Sequence, residues 1–109
     1  MAKGVMTDEL TELVAERFKA LADPGRVRLL NLLRDGERSV GDLVEQTGLT
    51  QANVSKHLAR LRDLGFVTRQ RDGLHIYYRL ADRDILKLCD LMCGRIEAQA
   101  ATRRRLFSA

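Results

Sequence analysis

A mainly α-helical chain carrying one β-hairpin is the fold class this sequence predicts, and three observations carry the prediction. Apolar residues recur at helical spacing up to Leu64, the pattern switches to β-rich runs on either side of Asp72-Gly73, and helical spacing returns from Asp82. At 109 residues the chain lies in the single-domain range, so one core over 1–109 is expected. With 45% hydrophobic and 31% charged residues, the composition is that of a globular rather than a disordered protein.

Each element has its own signal. Thr7 caps a first helix in which Leu10, Leu13, Val14, Phe18 and Leu21 form one stripe, with Asp8 and Glu9 in the first turn, where the helix dipole favours acids. Asp23-Pro24 is an N-cap followed by proline at the first helical position, and Val27, Leu29, Leu30, Leu32 and Leu33 make the second helix nearly all apolar until Asp35-Gly36. Such a helix belongs at the centre. Ser39 caps a short third helix with Val40, Leu43 and Val44, closed by Gly48 where a left-handed residue suits the end. Thr50 caps a fourth helix, whose Val54, Leu58, Leu61 and Leu64 make a buried stripe ending at Gly65 and whose other face is polar. Residues 66–71 and 74–79 then read as strands joined by a two-residue Asp72-Gly73 turn. From Asp82 a long helix places Ile85, Leu88, Cys89, Met92, Cys93 and Ile96 on one stripe and frays at Arg103-Arg104-Arg105. Two short helices joined by a tight turn (39–64) ahead of a basic hairpin (66–79) describe a winged helix-turn-helix, flanked by outer helices over 7–22 and 82–105. The apolar stripes of those outer helices exceed what one small core absorbs, which predicts a twofold homodimer.

Charge narrows the function. Residues 1–49 hold 7 basic and 9 acidic side chains, residues 50–79 hold 6 against 2 together with both histidines, and the overall balance is +4. A basic segment between near-neutral flanks is the footprint of a surface for an anionic polymer. In a helix-turn-helix the second helix enters the major groove N-terminus first, so the reading positions are Gln51, Ala52, Asn53, Ser55 and Lys56. Gln and Asn can pair with adenine, Ser is a flexible partner, the Ala52 methyl suits thymine, and Lys56 reaches guanine or phosphate. His57, Arg60 and Arg62 lie further along and suit the backbone. On the hairpin, Arg69 and Arg71 share a face beside the tip and His75 is placed with them for phosphate contact; of Tyr77 and Tyr78, one belongs in the core. A winged-helix module that binds protein is the competing class, against which Gln51, Lys56 and the wing arginines argue. No catalytic spacing is present, so an enzyme is not expected. With no apolar run long enough for a bilayer span or export signal, and only Cys89 and Cys93, a cytoplasmic, reducing setting without membrane contact is expected.

Three stretches, residues 18–26 (Phe18-Lys19-Ala20-Leu21-Ala22-Asp23-Pro24-Gly25-Arg26), 49–61 (with Val54-Ser55-Lys56-His57-Leu58) and 73–80 (with Ile76-Tyr77-Tyr78-Arg79), resemble the ArsR/SmtB family of bacterial repressors. The resemblance covers nearly the whole chain. It implies a homodimeric repressor that pairs through its first and last helices and leaves operator DNA when an inducer binds. One sensor site of that family is a box with two cysteines, whose counterpart here, Glu37-Arg38-Ser39-Val40-Gly41-Asp42-Leu43, has none. A second uses carboxylate and histidine ligands, and its matching positions are Asp82, Asp84, Arg95 and Ala98, where arginine cannot ligate zinc.

The remaining sensor candidates are Cys89 and Cys93, at i and i+4 on one helical face. Two thiolates there suit a soft ion or metalloid. Three-coordinate arsenite, or cadmium or zinc with more ligands, needs donors beyond the pair, from a second subunit, a carboxylate such as Asp90, or water. A thiol redox or sulfur-species response is the other reading of the pair, and core packing the third. No cofactor is needed for folding.

Overall fold

The computed structural model describes residues 4–108. In chain order it contains α1 (Asp8–Leu21), α2 (Pro24–Leu32), a 3-10 turn (Leu33–Asp35), β1 (Arg38–Ser39), α3 (Val40–Thr47), α4 (Gln51–Asp63), β2 (Val67–Asp72), β3 (His75–Leu80) and α5 (Asp84–Phe107). Four helix starts are set by the side chains expected to set them. Thr7, Asp23, Ser39 and Thr50 each accept a hydrogen bond at 3.1 Å from the backbone N–H three residues on, satisfying a donor the helix itself leaves free. Gly48 ends α3 with φ +70, a left-handed conformation in which a side chain is strained.

The core lies beneath the helix-turn-helix. Leu29, Leu30 and Leu33 from the α2 segment meet Leu43 of α3, Val54, Leu58 and Leu61 of α4 and Val67 of β2, all at most 1% exposed. Burying each of these side chains contributes about 1.5–3 kcal/mol. Thr47 is the buried polar residue of this region among the described residues, and it is satisfied: its hydroxyl donates to the Leu43 carbonyl at 2.7 Å and accepts from the Leu49 N–H at 3.2 Å.

The sheet departs from expectation in two ways. It has three strands in the order β1-β3-β2, because Arg38 and Ser39 pair antiparallel with Tyr78 and Tyr77. The hairpin turn is shifted by one residue: Asp72 pairs with His75, so Gly73 and Leu74 form the tip rather than Asp72 and Gly73. Gly73 has φ +62 while Leu74, like every non-glycine residue described, has negative φ, the pattern of a type II′ turn with glycine first.

The last helix also differs from its expected bounds of 82–105. Asp82 lies outside it, its carboxylate accepting from the Asp84 N–H at 2.8 Å, and the helix runs unbroken through the three arginines to Phe107. Its 24 residues span roughly 36 Å. Only Ile85 and Leu86 of α5 enter the core, whereas Leu88, Leu91, Met92, Ile96, Leu106 and Phe107 stay 49–84% exposed. Phe18 and Leu13 on α1 are likewise 58% and 42% exposed. Among the described residues, no helix is long and apolar enough to cross a membrane.

Candidate nucleic-acid interface and thiol pair

The first two turns of α4 divide sharply. Val54, Leu58 and Leu61 are 0% exposed and anchor one side of the helix, while Gln51, Ala52, Asn53, Ser55 and Lys56 are all exposed on the other. The hydrophobic anchor thus fixes the helix's rotation and presents amide, hydroxyl and ammonium groups together at the helix's N-terminal end. Arg62 is exposed as well. Arg60 is engaged elsewhere, with Nη2 3.3 Å from Glu16 Oε1, which ties α4 to α1.

His57 departs from the expected backbone-contacting position. Its side chain is only 18% exposed and turns toward the start of α2, with Nε2 3.8 Å from Asp23 Oδ1 and with Nδ1 buried and unpartnered among the described residues. Gly25 makes room for the ring, since a Cβ there would lie 3.1 Å from Nε2. The Arg26 N–H holds the Asp23 carboxyl below the usual carboxylate range, and the charge of a protonated His57 adds to this.

On the hairpin, the pairing of Arg69 with Tyr78 and of Arg71 with Ile76 puts both arginines on the sheet face that carries buried Val67 and Tyr78 at its base. Both are exposed beyond the core. His75 does not join them: it pairs with Asp72 on the opposite face, beside Tyr77, with ring centroids 6.2 Å apart. Tyr78 is the core tyrosine, at 5% exposure.

Cys89 and Cys93 border a groove of about 600 Å³ between α2 and α5, shared with Pro24, Val27, Arg34 and Leu86. Cys89 is half-buried and Cys93 exposed, and both are free thiols. Burial pushes the Cys89 thiol up, and neighbouring Cys93 and Asp90 add to this, while Arg34 pulls it back in part. Asp90 is not the spare ligand expected of it, because its carboxylate takes a two-pronged bond from Arg34 at 2.8 and 3.2 Å. That guanidinium holds the Asp90 carboxyl below its ordinary range. Among the described residues no three His, Cys, Asp or Glu side chains come together as a metal cluster. At the two other family positions, Asp42 is paired with Arg38 at 2.7 Å and Asp84 with Lys87 at 3.2 Å. Arg34 escaped the sequence reading because its partner is distant in the chain and no local pattern marks it.

A tight helical pair, its exposed polar reading helix and an adjoining cationic hairpin define the winged helix-turn-helix class of DNA-binding domains. The sequence profile of bacterial regulatory proteins of the arsR family matches residues 23–69. The HTH-type transcriptional regulator KmtR of Mycobacterium tuberculosis is 43% identical over 83 residues, covering 76% of this chain and 64% of that protein. A Streptomyces lividans protein described as "Probable mercury resistance operon repressor" is 40% identical over 77 residues, 71% of this chain and 62% of its own length. The chain therefore matches just under two thirds of each of these relatives. The solution structure of the homodimeric winged helix-turn-helix domain of Mb0332 from Mycobacterium bovis superposes with TM-score 0.73 at 33% identity, covering 86% of this chain and 90% of that one. The chain belongs to the ArsR family of bacterial regulatory proteins, transcriptional regulators that bind DNA through a winged helix.

Proposed function

We propose that the chain is a cytoplasmic, homodimeric repressor, with operator DNA bound by α4 and the hairpin and released when a thiol-directed effector engages Cys89 and Cys93. The observation that carries the DNA reading is the exposure of Gln51, Ala52, Asn53, Ser55 and Lys56 as one patch opposite a fully buried anchor. Gln51 and Asn53 serve base recognition, while Lys56, Arg69 and Arg71 serve phosphate. His57 serves as a packing residue, and His75 contacts DNA only if the strand's other face is engaged. The apolar faces of α1 and α5 support pairing of two copies, as in the homodimeric Mb0332 domain. Residues 7–22 and 84–107 are thus the dimerisation helices, 39–64 the helix-turn-helix and 67–80 the wing.

The effector class follows from ligand chemistry. A half-buried and an exposed thiol, one turn apart on a groove, suit a soft ion or a sulfur-directed oxidant. The mercury-resistance relative points the same way. Arsenite, cadmium or zinc held with full coordination draws its further ligands from the second copy or water, since among the described residues no cluster of three potential donors includes the pair. An effector that disfavours the DNA-competent arrangement by about 2 kcal/mol loosens the operator roughly thirtyfold. The burial that raises the Cys89 pKa favours a second reading, in which the cysteines are structural in a regulator without a metal site.

Both readings meet one experiment. The Cys89→Ser/Cys93→Ser double variant is expected to hold operator DNA as the parent does and to lose its response to cadmium, arsenite or a sulfane-sulfur donor. A retained response assigns the cysteines to packing. Steeply salt-dependent binding to duplex DNA tests the larger claim, and no complex at low salt with any duplex overturns it.

A further inference from the structure

We infer that Arg34 is the positioning residue through which the state of the Cys89 and Cys93 pair reaches the DNA-reading half, its guanidinium acting as a clasp between the 3-10 turn and α5. The inference rests on the effector reading proposed above and names the route by which that site acts.

Each guanidinium nitrogen of Arg34 and its main-chain carbonyl has a partner. Nε donates to Asn31 Oδ1 at 3.2 Å, Nη1 and Nη2 hold the two oxygens of Asp90 at 3.2 and 2.8 Å, and the main-chain carbonyl accepts from Arg83 Nη1 at 3.0 Å. The turn is therefore held to α5 at two points, the residue before its first turn and a carboxylate further along. A two-pronged pair of this kind fixes direction as well as distance, which a single lysine contact does not.

What lies on either side of the clasp gives it a role. On the α5 side, Asp90 follows Cys89 directly and lies inside the helical turn that Cys89 and Cys93 bracket. A dication spanning the two sulfurs replaces their two protons, so the pair gains no net charge, and what changes beside the Arg34–Asp90 bond is the geometry of the helical turn that carries Asp90. On the other side, three residues separate Arg34 from Arg38, which donates to the Leu32 carbonyl at 2.7 Å and to Asp42 Oδ2 at 2.7 Å and pairs with Tyr78 of the wing. Ser39, next in the chain, pairs with Tyr77 and caps α3. Releasing Arg34 thus frees the segment on which the wing's base and the start of the helix-turn-helix are both mounted. The route is a contiguous set of bonds from Asp90 through Arg34 to the segment bearing Arg38 and Ser39, with Arg34 either held on Asp90 or released, the kind of two-state element that coupling between distant sites requires.

The experiment compares parent, Arg34→Gln and Asp90→Asn proteins, all full length, on an operator duplex selected by the parent. Cadmium binding is read from thiolate charge-transfer absorbance and DNA affinity from fluorescence anisotropy with and without the ion. Both variants are expected to keep the parent's cadmium stoichiometry and, with the clasp already open, to bind DNA about tenfold more weakly without the ion, so that the further loss caused by cadmium shrinks by about the same factor, within the usual range of coupling. The double variant is expected to match either single one, because each breaks the same clasp. A parent-sized response in Arg34→Gln overturns the inference and leaves the thiol site standing, as does loss of cadmium binding in that variant, which makes Arg34 part of the site itself. If cadmium binds the parent without affecting DNA, the effector reading fails and the inference with it. Should Arg34→Gln fold poorly, Asp90→Asn alone carries the test, since its carboxylate is 59% exposed and makes no other contact of this kind.

Discussion

The helix-turn-helix and the outer helices solve opposite problems with the same residue types. Leu29 and Leu30 of α2, Leu43 of α3 and Leu58 and Leu61 of α4 are all 0% exposed, but Leu88 and Leu91 of α5 are 49% and 69% exposed. The helix-turn-helix closes its core within one chain, whereas the outer half presents apolar surface, the face on which the proposed homodimer would form. Stability and assembly are thereby assigned to different elements, so a substitution in one region need not disturb the other.

The strongest way to break that separation is to delete side chains from each half. Leu58→Ala is expected to cost about 2–5 kcal/mol of stability in denaturant unfolding. Leu91→Ala is expected to change folding little but to raise the dimer dissociation constant about tenfold or more in sedimentation. If Leu91→Ala unfolds the chain as readily as Leu58→Ala does, the two halves are one cooperative unit.

Within the reading half the contrast sharpens to two residues. Gln51→Ala is expected to weaken operator binding by about 1–3 kcal/mol while leaving random duplex untouched. Arg71→Ala is expected to weaken both alike and to lower the salt slope by about one. Anisotropy titrations over a range of salt separate these outcomes, and identical behaviour of the two variants removes the division between base and phosphate contact.

Equivalent caps give a smaller test. Thr50→Ala and Thr7→Ala each remove a 3.1 Å capping bond, and each is expected to cost about 1 kcal/mol. Only Thr50→Ala is expected to reduce operator affinity as well, because α4 is the proposed reading helix.

The smallest effect concerns the contact between the halves. Arg34 lowers the Asp90 pKa, so the pair's contribution is complete above the ordinary carboxylate value of 3.8 and disappears as pH falls through the lowered one. The thermal midpoint of the parent is expected to show this acid-side loss and that of Arg34→Gln to lack it. The difference is slight because the Asp90 side chain is 59% exposed, so solvent screens the pair.

How much of this was legible in the sequence depends on how far each interaction reaches. The caps at Thr7, Asp23, Ser39 and Thr50 were readable because a capping side chain finds its partner three residues away. The stripe Val54, Leu58, Leu61 was readable because helical period alone puts it on one face. β1 was not, since two residues carry no alternation and their partners lie in β3. The Asp72-Gly73 signal pointed to a turn but not to its frame, which the pairing of Asp72 with His75 decides, and with it the face that His75 occupies. The buried setting of His57 depends on Asp23 and on the missing side chain of Gly25, neither visible from α4 itself. At the thiol pair the spacing was legible, but the capture of Asp90 by Arg34 was not.

Ser39 is at once a strand residue facing Tyr77 and the cap of α3. One hydroxyl and one peptide therefore join the wing to the reading helices through a single residue. In the homodimer proposed above, a wing and a reading pair joined in this way would travel together, so an effector would act on the angle between the two copies.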